Sequence, residues 1–307
     1  MLKKALIIGA SGQDGQLLKN LLEKKKYKII GLDSKSKIQI TSFEDIANLI
    51  KENIFDEIYY LAAFHHSSED EKPDDLFLFK KSYEVNFFGL INVLEAIKIY
   101  SKTTKLFYAA SSHIFGNPNE KIQTEETPIN PTNIYGISKA SAIFACRYYR
   151  ENYNMFISVG ILYNHESVFR KESFLSKKVS KAVVEIANNQ REKLEVFSLN
   201  NIVDIGSAED FVRAMWMILN MDRVGDFIIS TGKSTSIKKF IKLAFKELGL
   251  DYKKYVQAVS KEKNINKSAL IGSHKKLQEL TNWKPKINLK KMIKTLIYHE
   301  QNNTKGI

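Results

Sequence analysis

A doubly wound parallel α/β sheet with a smaller C-terminal α/β lobe is the fold class that this sequence predicts, on three observations. The chain opens with a short apolar run, Ala5-Leu6-Ile7-Ile8, that leads into a glycine-rich turn and then into leucines at helical spacing. Strand-like and helix-like segments then alternate over about 160 residues, a pattern that requires parallel strands with helices on both faces. A length of 307 residues with 44% hydrophobic content suits one large or two modest domains around a real core.

Residues 5–8 form the first strand, and Leu17, Leu18, Leu21 and Leu22 place one helix face on it. Residues 27–33 read as a second strand ending on the acid Asp33. A helix follows over 43–53, a strand over 58–63, and a long amphipathic helix over 83–100. Residues 106–110 are a strand, 135–152 an aromatic-rich helix, and 156–162 another strand. Beyond Asn164 the pattern changes: helix 173–189, strand 195–199, helix 208–219, strand 227–230, helix 236–248, a Trp283-Lys284-Pro285 turn, and a last helix from Leu289. This divides the chain into a lobe of residues 1–163 and a smaller one of 164–307, with a cleft between them and a strand free to cross over.

Composition narrows the function classes. The net charge is +13, but only six of the 47 cations are arginine and the lysines are scattered. Phosphate readers favour the bidentate arginine fork, so the charge reads as a solvated surface, not a nucleic-acid interface. One cysteine, Cys146, excludes an intrachain disulfide framework. The N-terminal apolar run is too short for a signal segment or a membrane span, so the expected location is cytoplasmic.

The glycines Gly9, Gly12 and Gly15 stand between the first strand and first helix as G-x-x-G-x-x-G. Such a turn lets a pyrophosphate approach the backbone, where the helix start offers amide donors and a dipole. Asp33 lies 18 residues past Gly15, where an acid accepts hydrogen bonds from the adenosine ribose and repels a 2′-phosphate. The expected cofactor is therefore NAD over NADP, with Lys35 and Lys37 as the residues that would favour the latter. In Tyr135-Gly136-Ile137-Ser138-Lys139 the tyrosine and lysine share a helix face, and the lysine is expected to lower the tyrosine pKa and make it a general acid/base. Ser111 directly follows a strand, at the edge where α/β sheets place ligands, and would hydrogen-bond the same substrate oxygen as Tyr135.

In this order and spacing, the glycine motif, the end-of-strand serine and Y-x-x-x-K resemble the extended short-chain dehydrogenase/reductase (epimerase/dehydratase) family. Asn86 resembles its structural asparagine, and Leu61-Ala62-Ala63 its cofactor-lining segment. Gly12-Gln13-Asp14-Gly15, Leu162-Tyr163-Asn164-His165-Glu166-Ser167, Asp204-Ile205-Gly206 and Ala214-Met215-Trp216 look like the GDP-mannose 4,6-dehydratase branch. The resemblance implies a Rossmann-like domain plus a substrate lobe acting on a nucleotide-diphosphate sugar, possibly GDP-linked, in surface-glycan precursor synthesis. It implies Ser111, Tyr135 and Lys139 as catalytic residues. It implies Gly9, Ser11, Gly12, Gln13, Asp14, Gly15, Asp33, Leu61, Ala62, Ala63, Tyr135 and Lys139 as cofactor contacts. His65, Ser112, Asn164, Glu166 and Lys178 are the expected substrate contacts, with His66 beside them and no metal. Oligomers, dimeric or tetrameric, are expected through the helices that begin near Tyr83 and Tyr135.

Four positions depart from the branch. His113 stands where its dehydratases carry a glutamate that helps remove the C5 proton, so His113 is the candidate replacement base. Val203 replaces a diphosphate-binding arginine, and Lys263 and Asn266 align with an arginine and a glutamate of the nucleotide site. The expected activity is therefore oxidoreduction at C4 of the sugar: oxidation, 4-keto reduction or epimerisation. A 4,6-dehydratase is the alternative on the same fold, and a non-catalytic nucleotide-binding regulator the alternative of another class.

Overall fold

The computed structural model describes residues 2–65, 73–259 and 269–304. His66, Lys263 and Asn266 lie outside the described residues. The apolar run at the start becomes β1 (Lys4–Ile8), and Ala5 to Ile8 are all buried. After the glycine turn, α1 (Gln13–Lys24) turns Leu18 and Leu22 into the core. β2 (Lys28–Leu32), α2 (Phe43–Asn53) and β3 (Glu57–Tyr60) follow; α2 starts at Ser42, whose side chain accepts the Asp45 N–H.

The helix expected over 83–100 starts earlier and is interrupted. α3 (Asp75–Tyr83) begins at Asp74, which accepts the Phe77 N–H, and passes through a π-helical turn, Glu84–Phe88, into α4 (Gly89–Tyr100). The wide turn has a use. The buried hydroxyls of Tyr60 and Tyr108 donate to the carbonyls of Val85 (2.5 Å) and Asn86 (3.1 Å). The Asn86 side chain closes on the Phe64 backbone in both directions and on Ser138 Oγ at 2.9 Å. This pins the end of the β3 loop to the next helix layer.

β4 (Lys105–Ser111) ends in a 3₁₀ turn (Ser112–Phe115), and α5 (Ile134–Tyr153) leads to β5 (Ile157–Leu162). The remaining elements are β6 (Asn164–Glu166), α6 (Leu175–Ala187), β7 (Leu194–Val196), β8 (Ile202–Ser207), α7 (Ala208–Leu219), β9 (Gly225–Ile229), β10 (Ser234–Ser236), α8 (Ile237–Glu247), α9 (Tyr252–Tyr255), β11 (Val256–Ala258), α10 (Lys275–Thr281) and α11 (Leu289–Thr304).

The large sheet runs β2-β1-β3-β4-β5-β9, all parallel. Its order reverses between β1 and β3, so the crevice beyond their C-terminal ends is the expected ligand position. β6, β8 and β10 form a second sheet, and β7 pairs with β11. Two hydrophobic clusters match this division. One surrounds the large sheet; the other joins Val183, Phe240, Phe245 and Leu296 in the smaller lobe. The chain crosses between them: β9 completes the large sheet, and Phe211, Leu277 and the fully buried Trp283 belong to its cluster. The Trp-Lys-Pro turn is held by Asp210 of α7, whose carbonyl accepts Trp283 Nε1–H and whose carboxylate accepts the Lys286 and Ile287 N–H groups. Among the described residues no helix is long and apolar enough to cross a membrane.

Candidate active site

The glycine turn is built against β3. Gly9 has φ +96°, and a Cβ there would lie 2.7 Å from Ala62 N; a Cβ on Gly15 would lie 2.2 Å from the Gly9 carbonyl. Only glycine allows this closeness. Gly12 caps α1 with no side-chain hydrogen bond, which leaves the first amides of the helix to a ligand. Ser11 lies exposed on the turn, and Leu61, Ala62 and Ala63 continue from β3 beside it. These residues fit a dinucleotide, with its pyrophosphate on the start of α1. Asp33 sits just past β2, where its Oδ1 accepts the Lys35 N–H at 2.9 Å and the Ser36 hydroxyl at 3.3 Å.

The side chains of Gln13 and Asp14 turn toward the other lobe. Gln13 donates to the His165 carbonyl at 3.0 Å and accepts from Ser167 Oγ at 3.0 Å. Asp14 Oδ2 lies 2.9 Å from His165 Nε2, while His165 Nδ1 meets the Tyr163 carbonyl at 2.6 Å. Burial opposes charge on both groups, but each holds the other ionised: the Asp14 pKa is lowered and the His165 pKa raised. Sequence reading placed these two motifs separately; the structure joins them into one link between the glycine turn and the smaller lobe.

Ser111, Tyr135 and Lys139 converge at the C-terminal edge of β4. Asn133 starts α5 by accepting the Gly136 N–H at 2.8 Å, which sets Tyr135 at the helix entry. Ser111 lies close enough to the Tyr135 hydroxyl to favour its ionised form. Lys139, one turn further, is only 1% exposed; its Nζ donates to the Ala109 carbonyl at 2.8 Å and lies 5.8 Å from the Tyr135 ring centroid. Burial lowers the Lys139 pKa to about 7. Burial also pushes Tyr135 up to about 12, against the pull of Arg170 and Ser111. The expectation that Lys139 draws Tyr135 downward is therefore corrected: in this cleft desolvation wins, and the phenol is protonated at neutral pH.

His65 and His113 flank the phenol, their ring centroids 4.5 Å and 5.8 Å from that of Tyr135. Phe174 stacks on His65 at 5.6 Å, and the Arg170 guanidinium covers Phe174 at 3.7 Å. Arg170 pairs with Glu166 at 3.2 Å. Sequence reading missed Arg170 and Phe174; their one signal was position, shortly after Asn164-His165-Glu166-Ser167. Ser112 is buried in the 3₁₀ turn, and Asn164 is half-buried on β6 opposite Ile205. Glu166 is occupied by Arg170 and by the Ser176 hydroxyl at 2.5 Å. Lys178 lines a separate cavity of about 320 Å³ with Lys177, Lys181 and Glu172, and no member of the Ser-Tyr-Lys set lines it. Val203 on β8 pairs with Thr235 of β10 and packs against the smaller cluster.

A family model described as GDP-mannose 4,6 dehydratase matches residues 36–296. The chain belongs to the GDP-mannose 4,6-dehydratase family. The GDP-mannose 4,6-dehydratase of Yersinia enterocolitica is 32% identical over 278 residues, 81% of this chain and 73% of that one. GDP-mannose 4,6 dehydratase 2 of Caenorhabditis elegans is 31% identical over 342 residues, covering 96% and 88%. Among solved structures, RMD from Pseudomonas aeruginosa complexed with NADPH superposes with TM-score 0.87 at 19% identity, over 98% of this chain and 99% of that one. A Bacillus anthracis dTDP-glucose 4,6-dehydratase in complex with NAD gives 0.83 at 20%, over 99% and 98%. These likenesses establish the Rossmann-like fold of the family; the glycine turn and Asp33 lie before the span of the GDP-mannose 4,6-dehydratase model.

Lys139 carries a pH prediction. Its folded pKa of about 7 lies below the ordinary lysine value of about 10.4, so the unfolded chain binds the extra proton between them. The cost of the buried ammonium is complete below about pH 7 and disappears as pH rises toward about 10. Lys139→Met is expected to melt above the parent at low pH, with the difference in Tm shrinking across that window. A Tm difference independent of pH would refute the assignment.

Proposed function

We propose that this chain is a nicotinamide-dependent oxidoreductase that acts at C4 of a nucleotide-diphosphate sugar, GDP-linked by family membership, or of its 4-keto form. The observation that carries this reading is the convergence of Ser111, Tyr135 and Lys139 at the sheet edge next to the glycine turn. A bound nicotinamide would exchange a hydride with C4. Tyr135 would exchange the proton on the C4 oxygen, and Ser111 would orient that oxygen. A protonated Tyr135 suits delivery of its proton to a C4 ketone, and in the reverse direction the same oxygen would receive the proton of the C4 hydroxyl. The proposed location is the cytoplasm, where the lone Cys146 stays reduced.

A 4,6-dehydratase must also remove the C5 proton. The family's glutamate is His113 here, and no carboxylate of Asp14 or Glu166 takes its place, since both are held by cations of their own lobe junction. With a GDP-linked hexose and nicotinamide cofactor in D₂O, the C5 proton signal is expected to persist and no 6-deoxy methyl signal to appear in proton NMR. In the same assay Tyr135→Phe is expected to turn over roughly 10²–10⁴-fold more slowly with unchanged cofactor binding. Loss of the C5 signal together with a new methyl group would restore the dehydratase reading.

We propose NAD(H) as the cofactor, because the Asp33 carboxylate would repel a 2′-phosphate. Fluorescence titration is expected to show NADH binding more tightly than NADPH. The opposite order would make Lys35 and Lys37 phosphate partners.

We also propose a homodimer across α4 and α5. Phe88, Phe144 and Tyr148 are all more than half exposed there, more apolar ring surface than one helix pair normally leaves in water. Sedimentation velocity is expected to show a dimer that Phe144→Glu dissociates; a monomeric parent would remove the proposal.

A further inference from the structure

We propose that Asn133 is a positioning residue that fixes His113 as a hydrogen-bond donor through Nε2, and so confines the site to chemistry at C4. The inference rests on the C4 reading above and adds the reason why a histidine in the glutamate's place does not act as its replacement base.

The argument begins with the amide of Asn133. Its Oδ1 accepts the Gly136 N–H at 2.8 Å, as the cap of α5 requires. That bond decides which end of the amide is oxygen, because the reversed amide would set an NH₂ against an N–H. Nδ2 is therefore the end that faces His113 Nδ1, at 3.1 Å. An amide NH₂ only donates, so Nδ1 must accept, and the proton of the neutral ring resides on Nε2. Both the Nδ1–H tautomer and the imidazolium would place a second hydrogen against the Asn133 amide.

A base for a proton on carbon needs a free ring lone pair. In this arrangement the Nδ1 pair is engaged by Asn133, and Nε2 carries hydrogen. The backbone of the 3₁₀ turn holds the ring in place, with the His113 N–H on Ser111 Oγ at 3.3 Å. Among the described residues, the charged and titratable groups around this corner include Tyr135 and Lys139 on α5, His65 after β3, Asp14 on α1 and Arg170 before α6. Among these described groups, the partner at Nδ1 is the Asn133 amide. His113 therefore acts as a donor beside Ser111 and Tyr135, stabilising negative charge on a sugar oxygen.

The tautomer is read without substrate. In protein with ¹⁵N-labelled histidine, long-range ¹⁵N–¹H correlation at pH 7.5 is expected to show the Nε2–H pattern for His113, assigned by its disappearance in His113→Gln. Asn133→Asp keeps the helix cap but presents a carboxylate to Nδ1, so the ring is expected to gain Nδ1–H. A parent ring with hydrogen on Nδ1, or a pattern that Asn133→Asp leaves unchanged, overturns the proposal.

The functional arm uses a GDP-linked 4-keto-6-deoxyhexose in D₂O. In Asn133→Asp the C5 proton would pass to a ring nitrogen freed for it, the C–H electron pair would move to the ketone oxygen, and deuterium would return from solvent. Exchange is expected to rise about tenfold or more over the parent. Equal exchange in parent and variant overturns His113's confinement to C4. Failure of the C4 reading itself shows differently: the tautomers are as stated, but no Tyr135-dependent turnover occurs.

Discussion

The arrangement of the cleft depends on one unfavourable act, the burial of the Lys139 amine. An ammonium under the sheet edge loses its water, and one carbonyl, that of Ala109, is the partner resolved for it. The ring of Tyr108 beneath it, 4.8 Å from Nζ, adds only a quadrupole. The amine is therefore drawn toward neutrality near pH 7, in the range where a catalytic site operates. The same dry environment pushes the Tyr135 phenol upward, so two proton affinities that nearly coincide in free lysine and tyrosine are moved apart. Helix α5 can hold this pair because its other buried face, Ala140, Ala142, Ile143 and Cys146, packs on the large sheet. Packing energy in the core offsets strain in the site.

A second constraint acts between lobes. The glycine turn at the start of α1 is tied across the cleft, since Gln13 and Asp14 are bonded to the strand β6 that also carries Asn164 and Glu166. Phe211 of α7 stacks on His165 at 4.6 Å and closes the link from behind. An acid in the first turn of a helix normally complements the dipole, but beside a bound diphosphate it would repel. Pairing with His165 removes that conflict. The Gln-Asp pair and the His-Glu-Ser segment lie about 150 residues apart in sequence, yet they form a single structural element.

This explains what was legible in the sequence. The strands of the large sheet, the glycine turn and the Ser-Tyr-Lys set were readable because each has a local signal: an apolar run, a glycine spacing, a helical repeat. Helix α2 and helix α7 were placed to the residue, since Ser42 and Ser207 stand at their starts and the apolar repeat fills their length. The short strands β6, β8 and β10 were not recognised. Their residues are polar or interrupted, as in Asp204 and Gly206, and they exist because partners from distant segments complete them. Asp204 shows the cause directly: it accepts from the Thr231 amide and hydroxyl and from Gly232, contacts no local pattern announces. The π-helical turn was equally hidden, because it answers to tyrosine hydroxyls on two other strands.

Arg170 shows the same limit at the site. A single arginine in a lysine-rich chain looked like surface charge, and its composition signal pointed nowhere. In the fold its guanidinium lies on Phe174, pairs with Glu166, partly offsets the upward push of burial on Tyr135 and helps hold the Asp14 pKa down. Its charge cannot be lost at working pH, whereas that of Lys139 can. The cleft thus receives a permanent cation from the smaller lobe and a titratable one from the larger. Electrostatic support for Tyr135 is consequently complete only when the two lobes are held together, which ties the proton affinity of Tyr135 to the junction built by Asp14 and His165.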